Sequence, residues 1–149
     1  MAEAIFNHRN QSQWHARSAG SHPTGTVHPE ALKCLVREGL SVEGLASKSW
    51  ETLDWSAGPP DLVITLCDSA GGESCPTFLR GSLRVHWGLP DPARVEGPDQ
   101  AIEAAFDETF RKIGAWVDAF FLIPFERWER DRTAFGDALG RIPGLRRPG

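Results

Sequence analysis

The pattern of apolar and polar residues predicts strands that alternate with helices along this chain. A continuous apolar run at 61–66 predicts a strand covered on both faces. The segment 84–87 predicts a second strand, and the alternating segment 13–18 predicts a third. Because strands alternate with helices, we expect an α/β fold with a mostly parallel sheet.

Helices are predicted where apolar residues recur every three to four positions. The first covers 1–11, and a short helical piece covers 50–54. Another begins at Pro29, since proline favours the first helical position, and ends near Gly39. The longest covers 98–123. The stripe predicted to be buried in the helix at Pro29 is Ala31, Leu32, Leu35 and Val36, and a final amphipathic helix carries Phe125, Trp128, Phe135 and Leu139.

Composition and charge narrow the class of protein. The chain has 149 residues, of which 40% are hydrophobic and 24% charged, as expected for one globular domain. Its net charge of −4 and the lack of a basic stripe argue against nucleic-acid binding. No apolar run reaches the roughly 20 residues of a membrane span, and the first residues do not form a signal peptide. We therefore expect a cytoplasmic protein without a membrane partner.

Three cysteines are the first candidates for chemistry. Cys34 lies on the apolar side of its helix and is predicted to be a core residue. Cys67 ends the predicted strand 61–66, and a glycine-containing loop joins it to Cys75, so the two thiols can approach disulfide distance. The alternative, a buried Cys67 and an incidental surface thiol at Cys75, is equally compatible with the pattern. The spacing does not match a zinc site. We assign no metal ligand and expect no cofactor.

Asp91 is a candidate general acid. It follows the predicted strand 84–87 and precedes Pro92, which holds the aspartate backbone extended and limits the directions its carboxylate can take. The alternative is an ordinary turn-forming Asp-Pro pair.

Five short segments occur in order along the chain: Met1-Ala2-Glu3-Ala4, Arg17-Ser18-Ala19-Gly20, Ser47-Lys48-Ser49, Val63 to Pro76 with both cysteines, and His86-Trp87-Gly88 to Ala93. Together they resemble the arsenate reductases built on the low-molecular-weight tyrosine phosphatase fold. The resemblance implies a parallel sheet flanked by helices, with the first strand missing and an extra C-terminal helix. We accordingly divide the chain into a reductase/phosphatase-like domain, 1–124, and an amphipathic helix with a basic tail, 125–149.

The resemblance also implies a thiol relay. In this family a cysteine in a phosphate-cradling loop (Cys-x5-Arg) attacks arsenate, and the aspartate of the Asp-Pro pair protonates the leaving oxygen. A second cysteine resolves the arsenic–sulfur adduct, and a third completes a disulfide. By position Cys67 matches the second cysteine, Cys75 the third and Asp91 the acid. The implied partners are arsenate or a related oxyanion, and thioredoxin or a glutaredoxin/low-molecular-weight thiol system as reductant.

One part of the family pattern is missing. The family's nucleophile loop lies directly before the helix that reads Met-Ala-Glu, and this chain begins at that methionine. The positions six residues after its three cysteines are Leu40, Glu73 and Gly81, so none completes Cys-x5-Arg. We therefore expect that the recorded start is late and that an in-frame Cys-x5-Arg precedes Met1. Loss of the family's inner strand would leave open strand edges, which favour a homodimer.

Two other functions fit the same fold. One is a short, non-catalytic binding or regulatory module. The other is a low-molecular-weight phosphatase-like protein. The pair Cys67 and Cys75 argues against a phosphatase, because ester hydrolysis needs no resolving thiols.

Overall fold

The structure, a computed structural model, describes residues 1–10, 13–20, 24–54, 56, 58–67 and 81–144. The helices are α1 (Ala2–Arg9), α2 (Pro29–Arg37), α3 (Asp99–Leu122), α4 (Phe125–Arg130) and α5 (Arg132–Arg141). The strands are β1 (Leu62–Cys67) and β2 (Leu83–Leu89), and short 3-10 turns cover Trp50–Thr52, Pro92–Arg94 and Ile142–Gly144. This is the predicted α/β class.

The chain forms two compact units. The first comprises Met1–Asp54 and Pro92–Asp118, and the second comprises the described residues within 55–91 and 119–149. The division predicted between 124 and 125 follows a different criterion, resemblance to a family, and stays a prediction.

Helix α2 shows how the first unit is built. The ring of His28 caps it, since Nδ1 accepts a hydrogen bond from the Glu30 amide at 3.1 Å. The helix ends before Gly39, whose φ of +80° suits a residue without a side chain. Val36 is 60% exposed, so its predicted burial was wrong: it lies about 100° around the helix from Leu35. The buried apolar residues of this unit are Ala4, Ile5, Ala31, Cys34, Leu35, Leu40, Phe106, Phe110, Ile113 and Val117.

The strand predicted at 13–18 is absent from the described residues, and side chains explain why. The side chain of Asn7 bonds both the amide and the carbonyl of Ala16, each at 2.9 Å. The carboxylate of Glu3 accepts a hydrogen bond from the Ser18 amide at 3.0 Å. Because these backbone groups are already satisfied, strand-type pairing among the described residues of this region is a single bridge, between Gly20 and Ser49.

The second unit contains the parallel pair β1 and β2. In β2 buried and exposed residues alternate, whereas 62–66 of β1 are half-buried rather than fully covered as predicted. Helix α5 packs on β2: the indole of Trp87 donates to the carbonyl of Leu139 at 2.9 Å. A Cβ at Gly136 would lie 2.8 Å from Leu83 Cδ2, so only glycine permits this approach without movement. The buried apolar residues of this unit are Val85, Trp87, Leu89, Phe120, Trp128, Phe135, Leu139 and Ile142.

The final amphipathic helix predicted from Phe125 is two helices. The break falls at Asp131, whose backbone is extended with φ −154° and ψ 95°. Its carboxylate accepts a hydrogen bond from the Ala134 amide at 3.0 Å and so caps α5. The apolar spacing carries on across this break, which is why periodicity alone did not show it.

Candidate functional site

Two of the three predicted site positions lie at one end of the parallel sheet. Cys67 is the last residue of β1 and pairs in register with Leu89, the last residue of β2. Asp91 follows Leu89 by two residues and is exposed. Parallel strands end at the same edge of their sheet, the edge at which α/β folds place their chemistry. The structure therefore brings the positions of Cys67 and Asp91 to a common edge.

The third predicted site residue, Cys75, lies outside the described residues, together with the rest of 68–80. For Cys67 the structure describes the backbone, as the last residue of β1. The pairing of Cys67 with Cys75 and the acid role of Asp91 thus stay predictions.

The register between β1 and β2 shifts by one residue just before this edge. Thr65 pairs with His86, and the next pair along the strands is Cys67 with Leu89. Over this step β1 advances two residues and β2 advances three, which makes a β-bulge in β2. Gly88 lies inside the bulge with φ +34°, a value that glycine adopts most readily.

A side-chain hydrogen bond joins the strands immediately before the bulge. Thr65 Oγ1 and His86 Nδ1 are 2.5 Å apart. This pair was not predicted from the sequence, because the only signal was one polar residue in each strand. The register that makes them neighbours is a long-range property and cannot be read from either segment.

Cys34 is confirmed as a core residue of the first unit. Its side chain is 0% exposed, and its Sγ lies 3.4 Å from Asp107 Oδ1. Burial, followed by the hydrogen bond to Asp107, raises the pKa of the Cys34 thiol to about 11. Arg37 donates to the same carboxylate oxygen at 2.8 Å, and this bond holds the pKa of Asp107 below its ordinary value. A buried thiol with a raised pKa is a poor nucleophile.

The raised pKa of Cys34 predicts a loss of stability at alkaline pH. The unfolded thiol releases its proton near its ordinary pKa of 9.0, whereas the folded thiol keeps it to about 11. The contribution is therefore complete below pH 9 and is lost between about pH 9 and 11, a change on the order of a few kcal/mol. Urea unfolding at about pH 8 and about pH 10.5 measures the change.

Cys34→Ala is the matched control for this pH dependence. The variant carries a constant cavity cost, but we expect its deficit against the wild type to shrink as the pH rises. The chain has no tyrosine, so no phenol titrates in this range. A deficit that stays constant across the range would contradict the assignment.

A second polar cluster surrounds Glu3. Its Oε1 accepts hydrogen bonds from the Ser18 amide at 3.0 Å and from Lys48 Nζ at 3.5 Å. Glu3 sits in the first turn of α1, where a carboxylate interacts favourably with the helix dipole. The cluster ties the start of α1 to the segments around Ser18 and Lys48, which belong to the same unit.

The described residues include neither a cluster suited to a metal ion nor a helix suited to a membrane. Within the described ranges, no three or more His, Cys, Asp and Glu side chains are grouped so as to hold a metal ion. Among the helices that the structure describes, none combines the length and apolar character needed to cross a membrane.

The chain matches one protein family model and is similar to several known proteins. The family model for low molecular weight phosphotyrosine protein phosphatase matches residues 1–132. The chain is 35% identical to an arsenate reductase of Halalkalibacterium halodurans over 121 residues, which are 80% of this chain and 84% of that protein. It is 31% identical to the arsenate reductases of Shouchella clausii and Bacillus subtilis, with the same shares covered.

Proposed function

Since the chain belongs to the low molecular weight phosphotyrosine protein phosphatase family, within which it is similar to arsenate reductases, we propose that it is an arsenate reductase-type thiol oxidoreductase. Its reaction converts arsenate to arsenite. The observation that carries the proposal is the pairing of Cys67 with Leu89, the residue two positions before Asp91, at one edge of the parallel sheet.

The chemistry needs two electrons, because arsenic(V) becomes arsenic(III). A first thiol displaces an oxygen of arsenate and forms a sulfur–arsenic bond, while Asp91 protonates the oxygen that leaves as water. The Cys67 thiolate then attacks the sulfur of this adduct. The new S–S bond forms as the S–As bond breaks, and the electron pair of that bond departs with arsenite. Cys75 attacks the resulting disulfide, closes Cys67–Cys75 and releases the first thiol.

The first thiol is not assigned to any of the three cysteines in the printed sequence. Residues Leu40, Glu73 and Gly81 lie six positions after them, so none has the arginine of the family's anion-binding loop. Such a loop holds an oxyanion through backbone N–H groups at a helix N-terminus. We assign the first attack to a thiol other than these three cysteines, such as a low-molecular-weight thiol.

The reductant that reopens the Cys67–Cys75 disulfide is a dithiol protein of the thioredoxin class, with a glutaredoxin/low-molecular-weight thiol system as the alternative. Either one supplies two electrons per turnover and becomes oxidised itself. The family description favours one second function, hydrolysis of a phosphate ester. A homodimer formed through the edges of the two-stranded sheet is a further part of the proposal, and light scattering at several concentrations tests it.

The experiment measures arsenite formation and phosphate-ester hydrolysis side by side. Two proteins are compared, the 149-residue chain and the product of the gene with its upstream in-frame codons retained. Each receives arsenate with NADPH, thioredoxin and thioredoxin reductase, or with glutathione and glutaredoxin. We expect one NADPH consumed per arsenite in the thioredoxin system. Ester hydrolysis without arsenite would establish the phosphatase instead, and inactivity of both proteins in every assay would leave the non-catalytic module.

A further inference from the structure

We propose that Thr65 and His86 are positioning residues for the sheet edge that carries Cys67 and Asp91. Their hydrogen bond fixes the register of β1 against β2 at the last regular pair before the bulge. The consequence for catalysis rests on the proposed function, whereas the consequence for the register does not.

The hydrogen bond between Thr65 and His86 is assigned a direction from the other partner of the Thr65 hydroxyl. The Thr65 hydroxyl is 3.5 Å from the carbonyl of Val85 and donates to it. Its oxygen is then left to accept, so we assign the hydrogen between the two side chains to His86 Nδ1. Thr65 is half-buried and His86 is exposed, so the pair lies outside the apolar core of its unit.

The bulge gives this bond its importance. Bulges are rare between parallel strands, and without one Cys67 would pair with Gly88 rather than Leu89. Asp91 would then lie three residues beyond the partner of Cys67 instead of two. A slip of one residue moves a side chain by about 3.3 Å and turns it to the opposite face of the sheet. The register chosen just before the bulge therefore decides where the carboxylate of Asp91 lies relative to the position of Cys67.

The bond is also weak enough to be tested without unfolding the protein. A cross-strand side-chain pair contributes little to overall stability, and neither residue is buried. Thr65 and His86 form the last regular backbone pair of the two strands, and the next pair, Cys67 with Leu89, already lies beyond the bulge.

The test compares Thr65→Val with Thr65→Ser. Valine keeps the shape and branching of threonine but removes the hydroxyl, whereas serine keeps the hydroxyl and loses the methyl group. Valine is the better strand former, so a merely structural role predicts that the serine variant is the more impaired. We expect the reverse for catalysis. Thr65→Val should lower kcat for arsenate reduction about tenfold to a hundredfold with KM within about twofold, and Thr65→Ser should stay within about threefold of the wild type.

Two NMR measurements test this proposal without adding arsenate. The ¹⁵N shifts of the His86 ring should show hydrogen on Nδ1 in the wild type and in Thr65→Ser, and loss of that preference in Thr65→Val. Backbone NOEs should connect the strand-end residues Cys67 and Leu89 in the first two proteins and weaken or move to Gly88 in the third. A Thr65→Val protein with wild-type register and wild-type kcat overturns the inference. If the wild type reduces no arsenate but the NOEs shift as expected, the proposed function fails and the register role stands.

Discussion

Cys67→Ser abolishes arsenate reduction in the proposed relay: we expect kcat to fall about a thousandfold or more, to the level of the uncatalysed reaction. The step lost is formation of the S–S bond that releases arsenite. A serine hydroxyl does not form a stable bond to sulfur. The S–As bond of the adduct is therefore not cleaved, and the adduct accumulates. Arsenite formation measured with each reductant system gives the turnover, and mass spectrometry of the quenched protein identifies the arsenic adduct.

Cys34→Ser is the matched control for this substitution. It makes the same chemical change at a thiol that is fully buried and has a pKa of about 11. The serine hydroxyl can donate to Asp107 as the thiol does, so we expect activity within about twofold of the wild type. Hydrolysis of a phosphate ester provides a second comparison, because it needs no resolving thiol and should survive in Cys67→Ser. If Cys67→Ser still forms arsenite at the wild-type rate, Cys67 is not the resolving cysteine.

Part of the fold follows from sequence because its signals are local. The strand at 61–66 was visible as an apolar run, and the structure has it at Leu62–Cys67. The long helix predicted at 98–123 is Asp99–Leu122, ended by the proline that follows at Pro124. In such segments the hydrophobic period and the positions of proline and glycine all favour the same element. Tertiary contacts therefore did not alter the secondary structure that the local sequence favours.

The errors have a common physical origin in partners that are distant along the chain. Segment 13–18 alternates like a strand, but Asn7 and Glu3 bind the backbone groups that a strand would need. Val36 continues an apolar stripe in sequence, yet the side of α2 on which it lies is left exposed. Neither outcome can be obtained from propensity, because each depends on which element packs beside the segment.

The candidate site also has a part that follows from the sequence and a part that depends on long-range strand pairing. That Cys67 and Asp91 belong to one edge follows from the rule that parallel strands present their carboxyl ends together, and the register agrees with it. The bulge in β2 and the bond between Thr65 and His86 require the register itself, which two short strands do not specify. Sequence thus identified candidate chemical groups, while their relative placement depended on pairing.

Phe135→Ala should destabilise the second unit by about 3–5 kcal/mol, the largest effect we expect on stability. Phe135 is 2% exposed. Its ring meets those of Phe120 and Trp128 edge-to-face, with centroids 5.8 Å and 5.5 Å away. Truncation removes both aromatic contacts and leaves a cavity that these two large side chains cannot close without leaving their own contacts. Urea unfolding followed by circular dichroism measures the loss.

Leu122→Ala is the matched control, since it also truncates a large apolar side chain within this unit but at a position that is 82% exposed. We expect a change within about 0.5 kcal/mol, because almost no apolar surface is removed from water at this position. The two variants together separate burial from mere loss of apolar atoms. If Phe135→Ala unfolds at the same urea concentration as Leu122→Ala, the prediction is wrong. The contacts of the Phe135 ring with Phe120 and Trp128 would then not stabilise this unit.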